Sequence, residues 1–294
     1  MNSINGVSII IPVFNERDGI ESTLQHLKQI MSNANFENEI IIVNDGSNDG
    51  TEEIIKKLNK DDFTVINHEI NSGYGAAIKT GIIASNFDCI ALTDADGTYP
   101  NIIIPELAKI CYDENYDMVV GARVAKNVKI PLIRKPAKWV ITKLANYLSG
   151  TRIPDVNSGL RVMKKSIVNK FANILPNGFS FTTTITLAML TNNHSVKYIP
   201  IDYFFRKGKS KIRPIYDTVN FIQLIIRTAL YFNPIKVFAP LSIILVVLAL
   251  VVLIVSWQLT GKAMDVTFGV VLMTAVMVMA IGMLADLIDK RIQK

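Results

Sequence analysis

Two carboxylates stand two residues apart in Asp94-Ala95-Asp96, directly after the apolar run Asp88–Thr93. Such a pair can hold a hard divalent cation, Mg2+ or Mn2+, while leaving coordination positions open for a diphosphate. A solvated turn is the bland alternative, since Asp and Gly also serve turns without any ligand. Three further polar or glycine-rich segments follow apolar runs in the same way: Pro12-Val13-Phe14-Asn15-Glu16, Asn44-Asp45-Gly46-Ser47 and Asn71-Ser72-Gly73-Tyr74-Gly75. Four such segments in one chain favour a site over four unrelated turns.

The elements that must position them read clearly. Val7–Val13 is a short Ile-rich run, followed by a helical spacing of Leu24, Leu27, Ile30 and Met31. The same alternation recurs as Glu39–Val43 then Thr51–Leu58, Phe63–His68 then Gly75–Ala84, Asp88–Thr93 then Ile102–Tyr112, and finally Asp117–Val120. Strands alternating with helices predict βαβ units and a mostly parallel sheet. Continuous apolar strands agree, because such a sheet is covered on both faces. In open sheets of this class ligands bind outside the carboxyl ends of the strands, where the four segments fall.

Charge is divided along the chain. The net value of +6 combines residues 1–122, with 7 Lys and Arg against 19 Asp and Glu, and residues 123–235, with 19 against 3. An acidic front is thus followed by a basic middle, which points to phosphate groups or anionic lipid as partners of the second part. No nucleic-acid partner is expected. Half of all residues are hydrophobic and only 19% are charged, below the roughly one quarter of soluble domains. The excess is local, since residues 237–261 and 266–285 carry no charge. Each stretch is long enough to cross a bilayer as a helix. Spans at about 237–258 and 266–286 would form a hairpin, with Lys262 alone in its connection and basic residues before and after. The positive-inside rule then puts the large domain in the cytoplasm, at the cytoplasmic membrane. Pro136–Ser149 and Tyr216–Phe232 carry apolar stripes that suit the bilayer surface or packing on the domain. The start of the chain lacks a basic region, and Pro12 cuts its apolar run, so no cleaved secretory leader is expected.

Other chemistries lose support. Cys89 and Cys111 are two isolated core thiols, and His26, His68 and His194 have no ligand spacing. Gly208-Lys209-Ser210 lacks the first glycine of a P-loop, where Tyr203 stands, and Gly73-Tyr74-Gly75 lacks the third glycine of a dinucleotide fingerprint, where Ile78 stands.

Taken together, IIPVFNE (10–16), VNDGSNDGT (43–51), NSGYGAAIKTG (71–81), DADGTYP (94–100), GAR (121–123), NSGLR (157–161) and RKGKSKI (206–212) resemble glycosyltransferase family 2 of the GT-A fold. The similarity is to its polyprenyl-phosphate branch, which includes dolichol-phosphate mannose synthase, and covers residues 7 to about 235. It implies a GT-A domain over 1–212, a juxtamembrane segment over 213–236, two transmembrane helices within 237–288 and a short tail. It further implies that Pro12, Phe14, Asn15, Glu16, Asp45, Asn71, Gly73, Gly75, Lys79 and Ser210 bind the nucleotide-sugar together with Asp94. By the same resemblance, Asp94 and Asp96 should hold the metal, and Arg206, Ser210 and Lys211 should close over the donor diphosphate. The resemblance makes Asp96, Arg123, Arg206 and Lys211 the expected catalytic set. Arg123, Arg134, Ser158 and Arg161 are the candidates for an acceptor phosphate, which Arg suits because its planar fork pairs bidentately with phosphate oxygens. Membrane-anchored members imply a homo-oligomer, with a tetramer as one form.

Two departures from the family pattern matter. The mannose synthases carry a Gln metal ligand two residues after the second Asp, where this chain has Thr98. The donor, a UDP-hexose or GDP-mannose, therefore stays open, with a tilt towards UDP. Many wider members supply a carboxylate base near the start of a helix corresponding to Phe179–Leu190, yet no acid lies between Asp155 and Asp202. A sugar hydroxyl needs a base to attack, whereas a phosphate monoester is largely dianionic at neutral pH. The expectation is an inverting transfer of a sugar to a polyprenyl phosphate, undecaprenyl or dolichyl. Transfer to a lipid or glycan hydroxyl, and a non-catalytic nucleotide-binding membrane scaffold, are the competing readings.

Overall fold

The computed structural model describes residues 5–58, 62–124, 135–204, 233–261 and 265–292, with scattered positions between 223 and 231. It divides into two units, one ending near Phe221 and one holding the C-terminal helices.

The first unit is built on a seven-stranded sheet in the order β3-β2-β1-β4-β6-β5-β7. Its strands are β1 (Gly6–Val13), β2 (Glu37–Asp45), β3 (Thr64–His68), β4 (Cys89–Leu92), β5 (Met118–Ala122), β6 (Arg161–Lys164) and β7 (Val196–Pro200). Its helices are α1 (Ile20–Ser32), α2 (Thr51–Lys56), α3 (Tyr74–Ala84), α4 (Ile104–Asp113), α5 (Lys135–Ser149), α6 (Lys165–Lys170) and α7 (Phe181–Thr191). All eight residues of β1 are buried, as the unbroken run GVSIIIPV requires. Its odd-numbered side chains Val7, Ile9, Ile11 and Val13 pack with Leu24 and Leu27 of α1 and with Ile104 and Leu107 of α4. Ile10 points the other way, against α3, where a Cβ on Gly81 would come within 2.4 Å of its Cγ2. Helices therefore cover both faces.

β1 pairs in parallel with β2 on one side and with β4 on the other. The chain winds outwards from β1 to β3, then returns to place β4 beside β1. The carboxyl ends of β1 and β4 thus flank the topological switch point, which is where such sheets bind ligands. The strands and helices expected over residues 7–120 all form, with bounds differing by a few residues at most ends; the apolar stripe expected over Tyr216–Phe232 lies largely outside the described residues. Two strands are additions. β6 lies antiparallel between β4 and β5, and β7 runs along the outer edge of β5. β6 has only four residues, with Arg161 at its head and Lys164 at its tail, so its sequence carries no strand periodicity.

The amphipathic stretch before residue 149 forms α5. Ala145 and Leu148 in its second half are buried, while Lys143 and Tyr147 stay exposed, and the helix packs on α7. That part of its apolar stripe is covered by the domain itself.

The second unit is a hairpin of α8 (Ile235–Thr260) and α9 (Asp265–Ile292), each long and apolar enough to cross a membrane. Gly261 closes α8 in a left-handed conformation at φ 66°, its N–H donating to the Trp257 carbonyl. The helices meet through small residues: Ala249 and Ala275 are fully buried, Ser242 Oγ donates to the Ala275 carbonyl at 2.9 Å, and Gly282 lies against Phe238. Close approach at small residues is how helices associate without a hydrophobic drive between them. Large side chains such as Ile243, Leu259 and Val270 face outwards and are exposed, an arrangement that suits lipid.

Gly81→Val should push α3 off β1. The expected loss of stability is about 1–3 kcal/mol, as for overpacked cores, read by denaturant unfolding of the purified chain.

Candidate active site

The β1–α1 and β2–α2 loops are laced together at the sheet edge. Asn15 takes a left-handed conformation at φ 54°, which Asn tolerates better than most residues. Its N–H donates to Ser47 Oγ at 3.0 Å, and its side-chain oxygen accepts from the Asn48 N–H at 2.8 Å. The Glu16 N–H donates to Thr51 Oγ1 at 3.0 Å, and the Arg17 N–H to Asp49 Oδ2 at 3.3 Å. Burial raises the pKa of Asp49, but hydrogen bonds from Thr51 and Arg17 outweigh it and hold the carboxyl below its ordinary 3.8. Phe14 and Glu16 sit half-buried beside these links.

Asp45, at the end of β2, is buried and organises the next loop. Its Oδ1 accepts from the Ser72 N–H at 2.9 Å and lies 2.7 Å from His68 Nδ1. Its Oδ2 accepts from the Gly73 N–H at 2.8 Å. Both oxygens are therefore engaged in holding the 71–75 loop, so a nucleoside contact from Asp45 would have to share them.

The glycines of that loop have a packing reason. Gly73 has φ 103°, and a Cβ there would come within 2.4 Å of the Asn177 carbonyl; at Gly75 it would come within 2.2 Å of the Pro176 carbonyl. The Ala76 N–H donates to the Asn177 carbonyl at 3.0 Å, and Lys79 Nζ donates to Asn177 Oδ1 at 2.9 Å. Gly73, Gly75 and Lys79 thus hold the segment that leads into α7, and Asn71 stays exposed at the rim.

Asp94 and Asp96 lie beyond the end of β4, next to the β1 edge. Asp94 Oδ1 accepts from the Tyr74 hydroxyl at 3.0 Å. The same carboxylate rests on the backbone of Gly159, where a Cβ would stand 2.9 Å from Oδ2. Asp96 is buried, its Oδ1 accepting from the Thr98 hydroxyl at 2.6 Å and the Thr98 N–H at 3.1 Å. Among the described residues no cluster of three His, Cys, Asp or Glu side chains could hold a metal by itself. Two aspartates on one loop still fit a hard cation that draws its remaining oxygens from a diphosphate.

Arg123 follows β5. Its Nε and Nη2 donate to the two oxygens of Asp155 at 2.7 and 2.9 Å, and Nη2 also donates to Asn157 Oδ1 at 2.7 Å. The guanidinium lies 5.3 Å from the centre of the Tyr203 ring, and Tyr203 stands edge-on to Tyr99. Arg161 is fully buried. It donates to the Ser158 carbonyl through Nε and Nη2, and through Nη1 to the Thr182 carbonyl and Thr186 Oγ1, both at 3.0 Å. Ser158 Oγ, also buried, donates to the Gly121 carbonyl at 2.6 Å.

A model of glycosyl transferase family 2 matches residues 8–171. The chain belongs to glycosyl transferase family 2. A dolichyl-phosphate hexose transferase of Haloferax volcanii is 27% identical over 213 residues, 72% of this chain and 89% of that protein. A bactoprenol glucosyl transferase of Shigella phage SfV is 30% identical over 172 residues, 58% of this chain, which spans about half (55%) of the phage protein. Among solved structures, glucosyl-3-phosphoglycerate synthase of Mycobacterium tuberculosis with UDP aligns at a TM-score of 0.59 and 15% identity, over 76% of this chain and 80% of that one. The likeness fixes the GT-A-like fold. Crystals of that synthase hold UDP with Mn2+ or with Mg2+.

Within this glycosyl transferase, one edge of the sheet gathers Pro12, Phe14, Asn15, Glu16, Asp45, Gly73, Asp94 and Asp96. Arg134, Arg206, Ser210 and Lys211 lie outside the described residues. Arg161 and Ser158 require correction as acceptor-phosphate candidates, because their polar groups are spent inside the core, joining the 158–161 turn to α7 and β5. Burial also pulls the Arg161 pKa below its ordinary value. Asp155, Tyr74 and Tyr99, whose hydroxyl accepts from the Gly159 N–H at 2.7 Å, carry roles that sequence reasoning missed. A signal existed for Asp155, the single acid between Asp117 and Asp202: a lone carboxylate in a basic stretch invites an arginine.

Gly159→Ala should displace the Asp94 carboxylate and lower sugar transfer by about 10–100-fold, as misplacements near 1 Å do, with little change in unfolding temperature. Because the folded pKa of Asp49 is depressed, its stabilisation is present above pH 3.8 and is lost as pH falls through the folded value. Asp49→Ala should therefore flatten the acid limb of a stability-against-pH curve below about pH 4.

Proposed function

We propose that this family 2 enzyme is a hexosyltransferase that moves a sugar from a nucleotide-sugar, a UDP-hexose or GDP-mannose, to a polyprenyl phosphate at the cytoplasmic membrane face, with inversion at the anomeric carbon. The observation that carries this reading is the switch-point pair Asp94 and Asp96, combined with an α7 that offers no base. The start of α7 reads Phe181-Thr182-Thr183-Thr184, all buried. A dianionic lipid phosphate needs no base. The names of the H. volcanii and phage relatives favour the same acceptor class.

Mg2+ or Mn2+ bound at Asp94 and Asp96 would supply positive charge to the departing diphosphate. The β1–α1 and β2–α2 loops bind the nucleoside side of the donor. A lipid phosphate oxygen forms the new bond to the anomeric carbon as the bond from that carbon to the diphosphate breaks, and the electron pair leaves with the nucleoside diphosphate. Arg123, fixed by Asp155, presents its remaining donor capacity to the acceptor phosphate; Arg134 is assigned to the same phosphate from its sequence position alone. Arg206, Ser210 and Lys211 hold the donor diphosphate. α8 and α9 anchor the catalytic domain, and the excess of Lys and Arg outside the 261–265 connection supports cytoplasmic orientation.

The test uses the full chain in nanodiscs with radiolabelled UDP-glucose, UDP-N-acetylglucosamine or GDP-mannose, and undecaprenyl or dolichyl phosphate. Label should enter the lipid product only when the phosphate is present and a divalent cation is supplied. Asp96→Ala should lower the rate by about 10²-fold or more, corresponding to several kcal/mol of lost charge stabilisation. Transfer confined to hydroxyl acceptors would overturn the acceptor assignment.

A further inference from the structure

We infer that Tyr74 and Thr98 are positioning residues for the Asp94-Ala95-Asp96 pair, their hydroxyls fixing the two carboxylates in the orientation a divalent cation requires. The inference rests on the metal reading above and assigns this task to residues outside the metal pair.

Tyr74 opens α3, twenty residues before its partner Asp94, and reaches it through a hydroxyl contact of 3.0 Å. Its position is fixed from two sides. Backbone contacts of Gly73 and Gly75 with residues 176–178 seat the start of α3, and the Tyr74 ring stacks on Phe179 at 5.6 Å with planes 11° apart. A phenol keeps its proton at neutral pH, so the hydroxyl is the donor and the carboxylate the acceptor. Gly159 borders the same carboxylate. Asp94 is thus gripped by a ring from α3 and by backbone from the turn before β6.

Thr98 performs the matching task on Asp96. It is fully buried, gives both its hydroxyl and its N–H to Asp96 Oδ1, and its carbonyl accepts from the Phe204 N–H at 2.9 Å. Here the side chain is turned onto the carboxylate instead of standing as a third donor group. With no three-ligand cluster among the described residues, the orientation of the two aspartates counts for more. Hydrogen bonds that orient metal-binding carboxylates typically contribute about 10–100-fold in metal affinity or activity.

The experiment measures Mn2+ binding by electron paramagnetic resonance on the detergent-solubilised full chain, with saturating UDP and in parallel with GDP. Variants are Tyr74→Phe, which keeps the ring and its stack, Thr98→Val, which keeps the volume, and Thr98→Ser, which keeps the hydroxyl. Tyr74→Phe and Thr98→Val should each weaken Mn2+ binding by about 10-fold or more, while Thr98→Ser stays near wild type. Nucleotide affinity measured in EDTA should not change, a selectivity that a merely structural role would not produce. Mn2+ affinity within twofold of wild type in both Tyr74→Phe and Thr98→Val overturns the inference. A wild-type chain that binds no Mn2+ with either nucleotide overturns the metal reading and the inference together. Intact Mn2+ binding without transfer to lipid phosphate overturns only the acceptor assignment.

Discussion

Parallel pairing of β1 with both of its neighbours is the constraint on which the rest of the molecule depends. A parallel ladder sends the carboxyl ends of the paired strands to one edge of the sheet. Because β1 pairs with β2 and β4 at once, the segments that follow all three strands meet there, although they lie up to about eighty residues apart in sequence. The hydrophobic run of β1 is what makes this binding. Each of its side chains is buried, alternately towards α1 with α4 and towards α3, so a register slip by one residue would exchange the two faces.

On that edge the loops are held by one another more than by their own turns. Asn15 donates to Ser47 and accepts from Asn48 across the first crossover, Asp45 carries the 71–75 loop, and Asn177 carries the start of α3. The site is thereby built before any ligand arrives, which is the condition for electrostatic stabilisation at little reorganisation cost. Much of the polar chemistry that looks ligand-directed in the sequence is spent on this scaffold.

The division of charge reads differently once side chains are placed. Arg123 is neutralised by Asp155, and Arg161 is sealed inside the domain, where it ties the turn before β6 to α7. A count of cations in residues 123–235 therefore overstates the positive field offered to a phosphate. Burying Arg161 without a carboxylate at contact distance among the described residues is costly unless its donors are satisfied, and four of its five N–H groups donate to three neutral oxygens.

The sequence by itself determined the alternating strands and helices, the strand-end location of the Asp-x-Asp pair, the absence of a base on α7, and two helices of membrane-crossing length. These are local properties, written in hydrophobic period, spacing and the presence or lack of a side-chain type. Tertiary structure decided what no local pattern encodes. It inserted the four-residue β6 between β4 and β5, because pairing partners and not strand length stabilise a central strand. It turned Arg161 inwards and Arg123 onto Asp155, because a guanidinium takes the best-placed oxygens within reach. It brought the Tyr74 hydroxyl to Asp94, because β1 and α3 fix where two distant loops must meet.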